Sequence, residues 1–376
     1  MGSFLLAWRE ARRAKGRFGL LTGAVTVLVF LVVFQQAVLD GLVTEFVGAI
    51  RNQSADVLVY GEDARLNLQG SVVPPAAPEE VAAVEGVARA EPLGVAAVTV
   101  EAGGELTDAT LFGHVLEGPG APVEIEEGRR PERDGEAVAS ASAADDGFGV
   151  GDVVVVQPGG ERIEIVGTAR ETSFSVTPTL FASYATYEAV QLSVNPDAPA
   201  VVPSAVAVEV ADGADAAAVA ERITAEVGGV EAATRDRAAD EAPGVESVDQ
   251  SLSIVLLLTY VVVTIVIGFF FLILTVQKQP TLTLLRAVGA PARSLVAALG
   301  MQVLLVVGGG LVLGAALAAL ALRVASIGIE AGVAPTSLAV TAVVVAVLAL
   351  AACVGAARRI TRLDPVWATL PGATPR

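Results

Sequence analysis

The chain has 376 residues, 53% of them hydrophobic, with a mean hydropathy of +0.64 and a formal net charge of −17. Soluble domains rarely average so apolar, so membrane spans are expected. The acidic balance argues against a nucleic-acid partner, and with one cysteine no intramolecular disulfide or cysteine metal cluster can form.

In chain order, residues 1–18 include "SFLLAWREARRAKGRF", which sets Phe4, Leu5, Trp8 and Ala11 on one helical face among arginines and a lysine. That is the pattern of a cytoplasmic amphipathic helix lying in the membrane interface. Gly19–Leu39 is the first of four runs without Asp, Glu, Lys or Arg; the others are Leu252–Val276, Leu295–Leu322 and Thr336–Ala357. Each is about 20 residues or longer, enough to cross ~30 Å of hydrocarbon as a helix. Four transmembrane helices are expected. The first follows a basic start, but its apolar part exceeds the roughly 7–15 residues of a signal peptide and no clear cleavage site follows, so a retained signal-anchor is predicted.

Residues 40–251 form the large polar segment. "ADVLVY", "PEEVAAVEGV" and "GVAAVTVEA" read as strand, helix and strand, and "SAVAVEV", "DAAAVAERITAEV" and "GVEAATR" repeat the order. Pro78 suits the first helical turn ahead of Glu79 and Glu80. Two such units around an insertion predict an α+β domain of split βαβ, ferredoxin-like type. The insertion, about 107–191, carries "DVVVVQ" and "RIEIVGTA" between glycine turns and predicts a β-rich lobe. After the second span, residues 277–294 make a short basic segment in which Thr281–Val288 forms a short helix, Gly289 its cap and Pro291 the start of the next helix. In the third span, Gly310 and Gly314 form a small-xxx-small pair that lets two helix backbones approach. Residues 323–335 are a short outer loop and 358–376 a basic tail.

Charge sets the orientation. Residues 40–251 hold 38 acidic and 11 basic side chains, against 3 acidic and 13 basic in the remainder. Twelve of those 13 lie in the start, in the loop between spans two and three, and in the tail. The positive-inside bias makes these three places cytoplasmic, with both termini inside and the large domain outside.

Catalytic chemistry is hard to find. Neither lysine, Lys15 or Lys278, follows a glycine, so no Walker A loop is present. The sole histidine, His114, has no partner for a zinc site or triad and reads as structural. The pairs Glu126/Glu127 and Asp145/Asp146 read as solvated in so acidic a segment. The spans hold no ionisable relay, only polar residues such as Gln35, Gln36, Tyr260, Thr264 and Gln302. No catalytic, cofactor-binding or metal-binding residue is assigned.

One span, a large external domain and three further spans resemble the FtsX-like or MacB-type permeases of ABC transporters. "TLLRAVGAPARSLVAALGMQ" is similar to that family's segment before the third span. "ARRITRLDPVWAT" resembles its closing segment, and "EEGRRPERDGEAVASASAADDGFGVGDVVVVQPGGERIEIVGTA" resembles its β-rich lobe. The resemblance implies a non-enzymatic permease of the cell membrane. It also implies a homodimer in a 2:2 complex with a separate ABC ATPase that binds the ATP, this chain carrying no cofactor. It puts Leu285, Arg286, Ala287, Val288 and Gly289 at the ATPase-coupling surface. Two functions fit: an exporter moving or extruding a hydrophobic or amphipathic substrate, or a non-transporting transmitter that drives an external partner such as a cell-wall hydrolase.

Overall fold

The computed structural model describes residues 15–197, 200–287, 292–324 and 338–347. Helix α1 (Lys15–Arg51) is followed by β1 (Val57–Gly61), α2 (Ala77–Ala82), β2 (Val87–Ala102), β3 (Glu105–His114), β4 (Glu127–Gly128) and β5 (Glu136–Ser140). Then come β6 (Val153–Gln157), β7 (Arg162–Ala169), β8 (Thr179–Ser183), α3 (Tyr184–Val194), β9 (Ala205–Val210), α4 (Ala216–Glu226) and β10 (Val230–Thr234). The chain continues through α5 (Arg235–Asp240), α6 (Val245–Ala287), α7 (Ala292–Val324) and α8 (Leu338–Val347). Asp40–Ser251 forms one compact unit, here the sheet domain; the described residues before and after it form a second, the membrane unit.

In the sheet domain β1 lies between β10 and β9, and β9 lies between β1 and β2, every pair antiparallel. The strands of β1-α2-β2 and β9-α4-β10 therefore interleave, in the order β10-β1-β9-β2. Successive side chains point to opposite faces of a strand, and both faces are covered here. Val57 and Val59 pack with Val81 of α2 and with Val219 and Ile223 of α4. Leu58 and Tyr60 face the other way, into a core that includes Val47, Ala49 and Ile50 of α1 and Ala238 and Ala239 of α5. Burial on both faces explains why β1 reads as a continuous apolar run rather than an alternating one.

The second strand departs from expectation. Residues 94–102 were expected to close the first βαβ unit, but Val87–Leu93 do so, pairing with β9. From Gly94 onward the same strand pairs with β3 and β6. From there β3 pairs with β8, β8 with β5, β5 with β7, and β7 with β6, which returns to β2. The β-rich lobe is thus a closed six-stranded barrel starting at Gly94 rather than near 107, and closure removes the exposed edges an open lobe would leave. Ala, Val and Ile side chains such as Ala96, Val98, Ala137, Val154 and Ile165 fill its core around Phe148 and Leu111. Gly94 and Gly113 sit opposite each other on β2 and β3. A Cβ at either would come within 2.4 Å of Tyr187, so the glycine pair is the floor on which that ring lies.

Among the described residues, three helices are long and apolar enough to cross a membrane: Phe18–Arg51 within α1, Gln250–Phe270 within α6 and Leu304–Val324 within α7. The expected fourth span is described only as the shorter α8, and residues 348–357 lie outside the described residues, as does the amphipathic start before Lys15 and the tail. Val25, Val29, Val32 and Val33 of α1 pack with Val263 and Ile267 of α6, Val306, Val307 and Ala318 of α7, and Val345 of α8. Large apolar side chains also point outward, Leu20, Leu257, Val312 and Val343 among them. An outward apolar surface is what a lipid-facing bundle needs.

Candidate coupling and packing sites

The expected coupling segment takes a different form from the one its sequence suggests. Thr281–Val288 was expected to be a separate short helix, ended by Gly289 as its cap and followed by a helix starting at Pro291. Instead α6 runs unbroken through Pro280 to Ala287, and α7 begins at Ala292, ahead of Leu295. Leu285, Arg286 and Ala287 are the last turn of α6. Val288 and Gly289 lie outside the described residues.

Gly310 and Gly314 lie on α7 against α1 of the same chain. A Cβ on Gly310 would be 2.4 Å from Val25 Cγ1, and one on Gly314 would be 2.8 Å from the Thr26 carbonyl oxygen and from Val29. These glycines therefore bring two backbones of one bundle together, and any larger side chain would push α1 and α7 apart.

The bundle also holds a neutral hydrogen-bond ring that joins three helices. Thr341 Oγ1 of α8 donates to Gln36 Oε1 of α1 at 2.6 Å. Gln36 Nε2 donates to the Tyr260 hydroxyl of α6 at 3.3 Å, and that hydroxyl lies 3.2 Å from Thr341 Oγ1. Because the threonine proton goes to Gln36, the tyrosine proton goes to Thr341, so each group donates once and accepts once. Next to the ring, Thr259 Oγ1 donates to Gln35 Oε1 at 2.9 Å. Gln35, Gln36 and Tyr260 were visible in the sequence as polar residues within spans, but Thr341 was not, since a threonine in a membrane helix can bond its own backbone. The signal available was one strong hydrogen-bonding side chain on each span at a comparable depth.

In the sheet domain, the polar centre is a buried carboxylate. Glu136, at the start of β5, accepts two 2.7 Å bonds from Arg129 Nη1 and Nη2, a third at 2.7 Å from Arg133 Nε, and one from the Glu132 N–H at 3.0 Å. These bonds, Arg129's first, hold its carboxyl far below the ordinary range against the opposing effect of burial. This explains much of "GRRPERDGEA": Gly128, at φ +77°, brings the backbone against Val166 so that Arg129 reaches Glu136. Glu126, expected to be solvated, pairs with Arg170, whereas Asp145 and Asp146 are exposed. His114 is buried with Nδ1 3.0 Å from the Val115 carbonyl. Burial lowers its pKa and the nearby Arg130 adds to the effect, outweighing that backbone bond.

The model of the MacB-like periplasmic core domain matches residues 18–226, more than half of the chain, and that of the FtsX-like permease C-terminal region matches residues 253–365. The chain belongs to the FtsX-like, MacB-type ABC transporter permeases. Over 356 residues this permease is 26% identical to an uncharacterized ABC transporter permease of Mycobacterium tuberculosis, covering 93% of its own length and 92% of the relative's. Another such permease, of Mycobacterium bovis, is 24% identical over 291 residues, 77% of this chain and 76% of the relative. Two solved structures are similar to part of the permease. One is the periplasmic region of MacB from Actinobacillus actinomycetemcomitans, at 12% identity and a TM-score of 0.36 over 50% of this chain and 92% of that one. The other is the extracellular domain of the noncanonic ABC-type transporter YknZ from Gram-positive bacteria, at 15% identity and a TM-score of 0.31 over 48% of this chain and 99% of that one.

Proposed function

We propose that this permease is the membrane subunit of an exporter in which a separate ATPase hydrolyses ATP and the permease moves or extrudes a hydrophobic or amphipathic substrate. The observation that carries the reading is that two permease models match most of the chain, while the described polar network of the membrane unit is an uncharged ring. A charge-free bundle suits an apolar cargo handled at the bilayer and not an ion relay through it.

The proposed four spans, α8 being the described part of the fourth, put both termini on the cytoplasmic side and the sheet domain outside under the positive-inside bias. The interleaved order β10-β1-β9-β2, antiparallel throughout, supports a ferredoxin-like split βαβ fold carrying the barrel as its insertion. The permease works as a homodimer with two ATPase subunits and carries no cofactor of its own. Leu285, Arg286, Ala287, Val288 and Gly289 form the surface that meets the ATPase. A helix end with a cation in its last turn, one short connection from the next span, is a compact feature for a partner groove to grip.

Arg286→Glu reverses the charge at this surface, and Gly289→Val opposes the positive φ expected of a helix cap. Both variants should insert normally and lose the co-purifying ATPase, with Arg286→Glu the more salt-sensitive. Retention of the ATPase by both would place the coupling surface elsewhere. For the orientation, Asp145→Cys should react with a membrane-impermeant maleimide in intact cells and Arg293→Cys should not; equal labelling would overturn it.

A further inference from the structure

The loop between β7 and β8 is built into the last turns of α1, which lie within the sheet domain. Its Ser173 carbonyl accepts the Ala49 N–H of α1 at 3.0 Å, a donor that an undisturbed helix would give to Glu45. The Glu45 carbonyl accepts the Val176 N–H at 2.9 Å, and the Phe46 carbonyl accepts the Ser175 N–H at 3.0 Å. Asn52 Nδ2 adds a bond to the Glu171 carbonyl at 2.6 Å. The two backbones touch at Gly48, where a Cβ would lie 2.4 Å from the Glu171 carbonyl oxygen.

The loop is fixed at the barrel side and strained at the helix side. Phe174 is buried edge-on to Phe112, ring centres 5.4 Å apart, and Ser173 Oγ lies 3.0 Å from Ser142 Oγ. Phe174–Thr177 is a tight turn closed by the Thr177 N–H on the Phe174 carbonyl at 3.0 Å. Both central residues have positive φ, Ser175 at 53° and Val176 at 58°. Such turns favour Asn-Gly or Gly, and a β-branched residue in that region is an outlier. The turn persists because its N–H groups are used by α1.

We propose that residues 170–177 are a latch that fastens the barrel to α1 at Glu45–Asn52, with two states. Latched, the loop is strained and takes helix hydrogen bonds. Released, Ala49 returns its N–H to Glu45, α1 regains its own ladder, and Val176 relaxes to negative φ. Exchange of one hydrogen-bond set for another keeps the two states close in free energy, which is what a switchable contact needs. Nothing in the latch depends on the transport reading.

Hydrogen exchange measured by mass spectrometry on the full chain in lipid nanodiscs tests it. Segments 45–52 and 170–177 should open together, and faster than β1 and β9. Val176→Gly removes the steric penalty of the turn and should slow exchange of both segments by about three- to tenfold, the gain being partly offset by glycine's freedom in the open loop. Gly48→Ala should speed exchange of both segments while β1 and β9 stay protected. The latch is overturned if the two segments exchange only together with β1 and β9, or if Val176→Gly leaves segment 45–52 unchanged or faster.

Discussion

Two polar clusters in this permease follow opposite rules. Glu136 in the sheet domain keeps a full charge although its side chain is 2% exposed, because Arg129 and Arg133, 45% and 71% exposed, carry the balancing charge at the water boundary. Gln36, Tyr260 and Thr341 in the membrane unit keep no charge, and each bonds side chains of the other two helices. A buried charge is tolerable where its partners remain solvated. Where the surroundings are hydrocarbon, a closed neutral ring satisfies the same demand for partners without an ion to desolvate.

The most severe way to break this contrast is to put a charge in the ring. Thr341→Asp should destabilise the bundle by about 2.5–3.5 kcal/mol, the cost of an acidic residue inside a span, read as a lower melting temperature in nanodiscs. The reverse exchange, a neutral group at the charged site, should cost less. Glu136→Gln loses charge-assisted bonds but leaves two arginines that can still hydrate, so about 1–3 kcal/mol is expected in the sheet domain's unfolding.

The same variant tests the pH behaviour. Because its folded pKa is depressed, Glu136 contributes its full stability above the unfolded carboxylate value of about 4.3 and loses it as pH falls through the folded value. Wild type should therefore lose stability in that acid window more steeply than Glu136→Gln. Tyr260→Phe removes one member of the neutral ring and should cost only ~0.6–2 kcal/mol, with a coupling to Thr341→Val in a double-mutant cycle. The smallest effect concerns His114, which burial keeps neutral. As the chain's one histidine, it gives a single ring resonance by NMR, which should titrate below its ordinary value of about 6.5. It subtracts stability only as pH falls below that value, because the unfolded chain takes the proton first.

The sequence displayed the features that repeat or accumulate: long charge-free runs, alternating strands, and arginines gathered at three places. It concealed those made by closure. Nothing in "GVAAVTVEA" says that β2 leaves one sheet for a barrel at Gly94, since apolar residues suit both and only the partner strands differ. "TSFSVTPT" lacks the Asn-Gly signature of its own turn, because the turn's conformation is imposed by bonds to α1. Gly289 and Pro291 suggested a separate short helix at Thr281–Val288, yet α6 runs on through Pro280 to Ala287, as membrane helices do when neighbouring groups satisfy the carbonyl a proline frees. The ring was hidden for a simpler reason: its members lie on three different spans, and their meeting is set by helix rotation. Gly310 and Gly314 were visible as a pair, but that their partner is α1 of the same chain follows only from packing.

The proposed function requires that this permease be inert toward ATP by itself and control a partner ATPase. ATP hydrolysis should be measured in nanodiscs for the permease, for a candidate ABC ATPase that co-purifies with it, and for the two together, with and without amphipathic candidate substrates. The account predicts no turnover for the permease alone, a changed rate for the ATPase when the permease is added, and further stimulation by a substrate. Turnover by the purified permease, or an ATPase rate that ignores its presence, would contradict it.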